Sequence, residues 1–158
     1  MISHQPPDYT CPFCKNMAGR YGEFHTAEDI VYEDANVYSF ISPHWWESNP
    51  GHALVVPRVH HENIYQIPAE TLSHVYQAVK RVAMAMRQTY GCRGISTRQN
   101  NEPSGGQDVW HLHVHVFPCH GEDNPRNYLG EFRFADAAAR APYARKLRDG
   151  LAALESKL

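Results

Sequence analysis

The feature that most constrains the fold is a short run in which histidine and apolar residues alternate, His111-Leu112-His113-Val114-His115-Val116-Phe117. Period-2 alternation is typical of a β-strand, because successive side chains of a strand point to opposite faces. The run therefore predicts a strand with three imidazoles on one face and an aliphatic face that packs into a core. Imidazole is well suited near neutral pH to act as nucleophile, proton carrier or metal ligand, so this face is expected to carry the chemistry. A solvent-exposed polar face and a structural metal site built on His-x-His are the alternatives.

The composition is that of one folded domain. The chain has 158 residues, of which 42% are hydrophobic and 20% charged, enough to bury a core. The formal net charge of -2 gives no electrostatic case for binding long nucleic acid. No apolar run approaches the ~20 residues needed to span a bilayer, and the first residues lack the pattern of a secretory signal. We therefore expect a cytoplasmic protein without a membrane partner, in which paired cysteines are metal ligands or free thiols.

Hydrophobic periodicity outlines an α+β fold. Apolar residues at three- and four-residue steps between Pro68 and Tyr90 predict one long amphipathic helix, which ends at Gly91. The alanine-rich segment 135–141, with 142–157, predicts a C-terminal helical tail that Pro142 divides. The predicted strands are 29–33, 37–41, 52–57, 94–99 and 111–117. The expected architecture is an antiparallel sheet of about five strands, one long helix and the helical tail. Residues 1–10 are expected to form a flexible N-terminal arm, and 11–158 a single domain.

The loop before the histidine run is suited to a phosphoryl group. Between Asn100 and Asp108 it carries two adjacent glycines, amide side chains and a carboxylate. Glycines let backbone N–H groups approach an anion closely, and amide side chains donate to phosphate oxygens.

Together these segments resemble a known family. Residues 106–116, GQDVWHLHVHV, resemble the signature of the histidine triad (HIT) nucleotide-binding superfamily. Residues 49–60, NPGHALVVPRVH, are similar to its upstream motif, and Cys11-Pro12-Phe13-Cys14 resembles the start of many bacterial members. The resemblance covers residues 11–120. It implies a HIT-like fold and a nucleotide hydrolase or transferase that cleaves at an α-phosphate through a covalent nucleotidyl-histidine.

The resemblance also implies roles for individual residues. His113 matches the nucleophile, His115 a residue that contacts the phosphate and helps protonate the leaving group, and His52 a supporting histidine or a structural one. The implied catalytic residues are His113, His115 and Gln107, and the implied phosphate and nucleotide contacts are Asn100, Gln107, Asp108, His115, Phe13, Phe40, Ile41 and Ser42. Core packing is the alternative for the apolar members of this set, and it is favoured for Ile41.

The sequence departs from the family pattern at three places. Ser42 stands where relatives commonly have the Asp or Asn that binds the ribose hydroxyls, next to a longer loop with Trp45 and Trp46. Asp108 stands where many relatives have Ser or Thr beside the phosphate, and a carboxylate there repels phosphate unless it is paired, protonated or turned away. No basic residue follows Pro118 directly, which weakens the case for a long polyphosphate.

A second constellation predicts zinc. Cys11 and Cys14 have the spacing of zinc ligands, and the resemblance implies His60 and His111 as the other two. Such a Cys2His2 set is closed and structural, with one zinc per chain. His61 competes with His60 for the third position. Cys92 and Cys119 lack ligand spacing.

Three functions remain open from the sequence. The first is the HIT-type enzyme, acting on a nucleoside phosphoramidate, a dinucleoside polyphosphate or an adenylylated compound. The second is a nucleotide-binding regulatory protein with little physiological catalysis, and the third is a metalloenzyme that uses the triad as ligands. The resemblance also implies a homodimer, with contacts through the long helix and the strand edge near Gly94.

Overall fold

A five-stranded antiparallel sheet is the centre of the structure, a computed structural model that describes residues 2–121 and 132–156. The strands are β1 (Ile30–Glu33), β2 (Val37–Ile41), β3 (His44–Trp46), β4 (Ala53–Pro57), β5 (Gly94–Gln99), β6 (Val114–Cys119) and β7 (Phe132–Phe134), and the helices are α1 (Pro12–Met17), α2 (Ala69–Thr89) and α3 (Ala137–Glu155). The main sheet has the order β1-β2-β4-β6-β5, and β3 pairs with β7 in a separate two-stranded ribbon. This is the predicted α+β architecture of five main strands, a long helix and a C-terminal helix.

Both faces of the central strands are buried, so β2 and β4 are almost continuously apolar. On one face, Val37 and Ile41 of β2 pack into the main core with the apolar stripe of α2. On the other face, Tyr38 and Phe40 pack with Phe13 of α1 in a second cluster. The period of two therefore sorts the residues of β2 between a helix-covered face and the face on which the candidate site lies.

The histidine run alternates as predicted, but only part of it is strand. β6 begins at Val114, so His111 and His113 precede its hydrogen-bonded part. At Leu112 the backbone N–H donates instead to the carbonyl of His61. The alternation continues across this boundary, because Leu112, like Val114 and Val116, is buried in the main core.

The C-terminal helix is continuous, and the prediction that Pro142 divides it is wrong. α3 runs from Ala137 to Glu155 with Pro142 inside it. Pro142 is only the sixth residue of the helix, so the one hydrogen bond that its missing N–H removes lies in the first turns. Packing stabilises the later turns of α3, since Ala144, Leu147 and Leu151 are buried in the core shared with α2. Residue 157, the last of the predicted tail, lies outside the described residues.

Two short elements were not foreseen in the sequence. α1 begins at the first cysteine pair, where the Sγ of Cys11 accepts from the backbone N–H of Cys14. The ribbon of β3 and β7 joins segments almost ninety residues apart, in register from His44 opposite Phe134 to Trp46 opposite Phe132.

The N-terminal arm makes specific contacts. The backbone N–H of His4 donates to Glu62, and the side-chain amide of Asn63 donates to the carbonyl of Ile2. The flexibility of the arm and the single-domain boundaries remain predictions. Among the described residues, no helix is both long and apolar enough to cross a bilayer.

Candidate functional site

A cavity of about 570 Å³ lies on the histidine face of the main sheet. Its wall includes Phe13, Phe40, His52, Arg98, His113 and His115. The N-terminal segment, the ends of β2 and β5 and the β3–β7 ribbon surround it. A cavity of this size with a few convergent polar groups is typical of a small-molecule site.

His113 lies in the cavity wall with one tautomer fixed. It is 3% exposed, and its Nδ1 lies 2.8 Å from the carbonyl oxygen of His111. Because a carbonyl oxygen can only accept, Nδ1 carries the hydrogen and the lone pair is on Nε2. Burial lowers the pKa of His113 below its usual value, although the His111 carbonyl and Asp108 oppose the shift. The imidazole is therefore neutral at pH 7, with Nε2 available as a nucleophile.

His115 and His52 form a second pair of imidazoles. The Nδ1 of His115 lies 3.4 Å from the Nε2 of His52, and burial with Arg98 lowers the pKa of His52 to about 3. The Nδ1 of His52 is buried without a hydrogen-bond partner among the described residues. A hydrogen on that atom would lack an acceptor, so His52 carries its hydrogen on Nε2 and donates it to His115. Nε2 of His115 then bears a hydrogen, as a donor to a phosphate oxygen requires.

The loop before β6 divides its residues between the cavity and its own support. Asn100 and Asp108 line the cavity, and the Nδ2 of Asn100 donates to the carbonyl of Gly106 at 3.0 Å. Gln107 is turned into the loop, because its amide nitrogen donates to the carbonyls of Glu62 and Val109. Its Oε1 accepts from the N–H of Glu102. This arrangement supports the loop and does not direct the Gln107 amide at a phosphate.

The predicted base pocket is brought together only in part. The rings of Phe13 and Phe40 are 5.7 Å apart and both line the cavity. Ile41 is fully buried in the core on the helix-covered face, so it is not part of this pocket. Ser42 lines the cavity, but its hydroxyl bonds locally to the backbone of His44 at 3.3 Å.

Sequence reasoning missed several cavity residues, among them one cation and one aromatic residue. Arg98 of β5 and Phe132 of β7 line the cavity. Trp46, one of the two tryptophans noted in the loop, also lines it, whereas Trp45 is buried in the main core. The sequence could have predicted the position of Arg98, because it precedes Asn100 by two residues and residues two apart in a strand lie on the same face. Phe132 gave no comparable signal, since its strand has only three residues.

Four ligand atoms meet next to the cavity. The Sγ atoms of Cys11 and Cys14 and one ring nitrogen each of His60 and His111 all lie within 4.8 Å of one another. Nδ1 of His111 is 3.3 Å from Sγ of Cys11, and Nδ1 of His60 is 3.4 Å from Sγ of Cys14. A tetrahedral ion with ordinary zinc bond lengths holds such atoms about 3.5 Å apart, so the geometry fits a metal.

The hydrogen bonds around this cluster orient its imidazoles for a metal. Nε2 of His111 donates to the carbonyl of Pro57 at 2.9 Å, and Nε2 of His60 to the side-chain oxygen of Gln5 at 2.8 Å. Both Nδ1 lone pairs therefore face the sulfurs, the arrangement expected of metal-binding histidines. Of the two adjacent candidates the structure brings His60, not His61, into the cluster. His113 and His115 are outside it, which disfavours the triad itself as the ligand set.

Comparison with known proteins gives a family. The model of the HIT domain matches residues 23–122. The Bacillus subtilis protein named hit is 36% identical over 112 residues, which cover 71% of this chain and 72% of that protein. The adenosine 5′-monophosphoramidase of Saccharomyces cerevisiae is 31% identical over 116 residues, covering 73% and 66%.

Solved structures agree with the sequence comparison. A Zn-bound histidine triad family protein from Mycobacterium smegmatis superimposes with a TM-score of 0.76 at 27% identity, over 94% of this chain and 98% of that one. A Hit-like protein from Bartonella henselae gives a TM-score of 0.74 at 27% identity, over 92% and 99%. With the domain match spanning most of the sheet and the triad, the chain belongs to the HIT family.

Proposed function

We propose that this protein hydrolyses or transfers nucleotides at the α-phosphate through a covalent nucleotidyl-His113 intermediate. The observation that carries the proposal is the state of His113, a buried neutral imidazole whose Nδ1 hydrogen is committed to the His111 carbonyl. The relationship to a yeast adenosine 5′-monophosphoramidase supports a nucleotide substrate.

The proposed reaction has two displacements. Nε2 of His113 forms a bond to the α-phosphorus while the bond from phosphorus to the leaving group breaks. Water then forms a bond to phosphorus and gives a proton to solvent while the bond from phosphorus to Nε2 breaks, so the nucleoside monophosphate departs and the neutral imidazole is restored. One difficult displacement is thereby divided into two easier ones.

The neighbouring groups are suited to the charge that develops. Nε2–H of His115, set by the hydrogen bond from His52, donates to a non-bridging phosphate oxygen. Asn100 lies at the same wall, and donors placed where negative charge grows stabilise a transition state. Phe13 and Phe40 supply an apolar site for the base. Gln107 acts by holding the loop through Glu62 and Glu102.

The intermediate gives the test. Wild-type protein is incubated briefly with adenosine 5′-phosphoramidate or diadenosine triphosphate, quenched and examined by intact-mass spectrometry. We expect an added adenylate on wild type and none on His113→Ala, which retains nucleotide affinity because the rest of the cavity is unchanged. Turnover by the variant should fall at least ~1,000-fold, the usual effect of losing a covalent nucleophile.

The matched control is His120→Ala, since His120 follows β6 and is absent from the cavity wall. It should form the adduct as wild type does. Nucleotide binding with neither adduct nor turnover would overturn the proposal and favour the regulatory nucleotide-binding protein.

Zinc is proposed for the cluster of Cys11, Cys14, His60 and His111. Two thiolates and two imidazoles form a closed tetrahedral set, which leaves no open position for substrate, so the metal would be structural. It would hold α1 against the loop that precedes β6. A Zn-bound relative supports this metal.

Homodimerisation is also proposed. Among the described strands, β5 lies at an edge of the main sheet, where the contact near Gly94 is expected, and the edge of a sheet can accept a second copy. The other predicted surface, α2, is partly covered because α3 packs against it. A monomeric mass by light scattering at micromolar concentration would contradict the proposal.

A further inference from the structure

The histidine face of the sheet has a row of residues whose chemistry changes from one end to the other. Phe40 of β2 is opposite Leu54 of β4, Leu54 is opposite His115 of β6, and His115 is opposite Arg98 of β5. Directly opposite residues in an antiparallel sheet share a face, and all four line the cavity. The row therefore begins with an aromatic side chain, passes through an imidazole and ends with a guanidinium.

The two ends suit different parts of one ligand. Phe13 packs on Phe40 at the β2 end, 5.7 Å between ring centroids, and the ring of Phe13 is 5.2 Å from that of His113. A base that occupies the phenylalanine end places its α-phosphate at His113. The leaving group departs in line with the attacking nitrogen, and a ligand whose base fills the phenylalanine end has the β5 end of the cavity, where Arg98 lies, for the rest of its length.

Two aromatic rings lie beside the guanidinium of Arg98. Its central carbon is 5.5 Å from the ring centroid of Trp46 and 5.5 Å from that of Phe117. Phosphates and carboxylates are bound by the N–H groups of a guanidinium, so contact with these two rings and anion binding are compatible.

The charge of Arg98 contributes to the low pKa values of two neighbouring imidazoles. Burial first, with Arg98 as the next contributor, depresses the pKa of His52. Burial, His113, His52 and Arg98 together hold the pKa of His115 well below its usual value. The imidazoles at this end are thus kept neutral, and Arg98 is the permanent cation beside them.

We propose that Arg98 binds an anionic, phosphate-bearing leaving group, so that the site favours nucleotides whose α-phosphate carries a further phosphate over those with an uncharged amine. This inference rests on the proposed function. With diadenosine triphosphate, the bond from Nε2 of His113 to phosphorus forms as the P–O bond breaks, and ADP departs with the bonding electron pair. The N–H groups of Arg98 balance that negative charge. With adenosine 5′-phosphoramidate, the P–N bond breaks and the nitrogen takes a proton from solvent to leave as ammonia, a species for which Arg98 has no attraction.

The test compares two substrates that share the adenylate and differ in the charge of the leaving group. kcat/KM is measured for diadenosine triphosphate and adenosine 5′-phosphoramidate with wild type, Arg98→Gln, Arg98→Lys and the control Arg87→Gln. Arg87 is exposed near the end of α2, on the other face of the sheet.

For Arg98→Gln we expect the ratio of the two kcat/KM values to shift against diadenosine triphosphate by ~10- to 100-fold, the range for losing a hydrogen bond to a charged group. Arg98→Lys keeps the charge but not the fork of donors, so part of the preference should return. Arg87→Gln should retain the wild-type ratio.

A ratio of the two kcat/KM values that stays at the wild-type value in Arg98→Gln would overturn the inference. If both values also fall equally in Arg98→Gln and Arg98→Lys, Arg98 has a structural role. If wild type forms an adenylyl adduct with both substrates in these cases, the proposed function stands without the role of Arg98. If wild type forms no adduct with either, both proposals fail together.

Discussion

At the scale of single residues, Gly51 shows that a motif residue near the site can serve packing. Its φ is +78°, in the left-handed region that favours glycine. A Cβ built on it would clash with the ring of Tyr143, and its carbonyl accepts from the hydroxyl of Tyr90 at 3.2 Å. The glycine in Pro50-Gly51-His52 therefore lets the chain pass close under α3 just before His52 enters the cavity wall.

Replacing Gly51 by Ala tests this packing. We expect the free energy of unfolding to fall by about 3 kcal/mol, because a strained φ and an overpacked contact act together. The control is Gly19→Ala, whose φ is +70° but whose added Cβ meets nothing within 4 Å; it should lose only about 1 kcal/mol. Equal losses in urea unfolding would contradict the packing role.

The sequence predicted the position of individual residues best where the spacing of a motif determines which side chains lie close together. The alternation that predicted a shared face for the triad applies to His113 and His115, which line one cavity. The Cys-x-x-Cys spacing predicted the two sulfurs of the four-ligand cluster, and the family resemblance implied its two imidazoles. For Ile41 the structure has the core packing that the sequence favoured, because the same alternation puts this residue on the helix-covered face and not beside Phe40. The inward turn of Gln107 depends on carbonyls of Glu62 and Val109, which no local pattern reveals.

At the scale of secondary-structure elements, a buried ion pair fastens α3 to the segment before β1. Arg140, 1% exposed, donates to both oxygens of Asp29 at 2.7 and 2.8 Å. Nδ1 of His25 lies 3.2 Å from the same carboxylate, and His25 lines the cavity. The C-terminal helix is thus linked to the cavity wall through one carboxylate.

Breaking this pair should destabilise the whole domain. Arg140→Met leaves Asp29 buried without its cation, and removing one partner of a buried pair typically costs about 3 kcal/mol or more. Arg145→Met, an exposed change on the same helix, is the control. Similar urea midpoints for the two variants would show that the pair contributes little.

The carboxylate of Asp29 should also make the free energy of unfolding fall at low pH. Burial alone would raise the pKa of Asp29, but the close approach of His25 and the hydrogen bonds from Arg140 and the Thr26 amide outweigh it and hold the pKa below its usual range. A carboxyl whose pKa is lower in the folded state stabilises the fold above the unfolded value near ~3.9, and that stabilisation is lost as the pH falls below it. Between about pH 5 and pH 2, the free energy of unfolding should therefore fall more steeply for wild type than for Arg140→Met.

The elements foreseen in the sequence are those with enough residues to show a period. α2 has 21 residues and an apolar stripe, and the main strands have four to six residues with flanking turns. β3 and β7 have three residues each and depend on one another across the chain, so neither gives a local signal. Pro142 was misread because a local rule for helix breaking ignores how many buried contacts follow it in α3.

At the scale of the whole molecule, the cluster of Cys11, Cys14, His60 and His111 joins the N-terminal segment to the residues that precede β6. Phe13 lies between the two cysteines in the chain, and its ring is 5.2 Å from that of His113. Fixing the cysteines therefore also fixes one wall of the candidate base pocket.

Substitutions of Cys11 and His113 should have different effects on zinc content, because only Cys11 is proposed as a ligand. We expect Cys11→Ser to lose the single bound zinc, and its Tm and its affinity for AMP to fall because Phe13 is no longer held. His113→Ala should retain one zinc per chain by elemental analysis, because its imidazole is not a ligand. Zinc that persists in Cys11→Ser but is lost from His113→Ala would overturn both assignments.

His111 contributes to the two centres through different parts of itself. Its ring faces the cysteine sulfurs, whereas its backbone carbonyl fixes the hydrogen of His113. Every amino acid has that carbonyl, so a descendant that lost the two cysteines could exchange the imidazole at 111 for another buried side chain and still present a correctly oriented nucleophile. The proposed metal site and the orientation of His113 can therefore be inherited separately, although both involve His111.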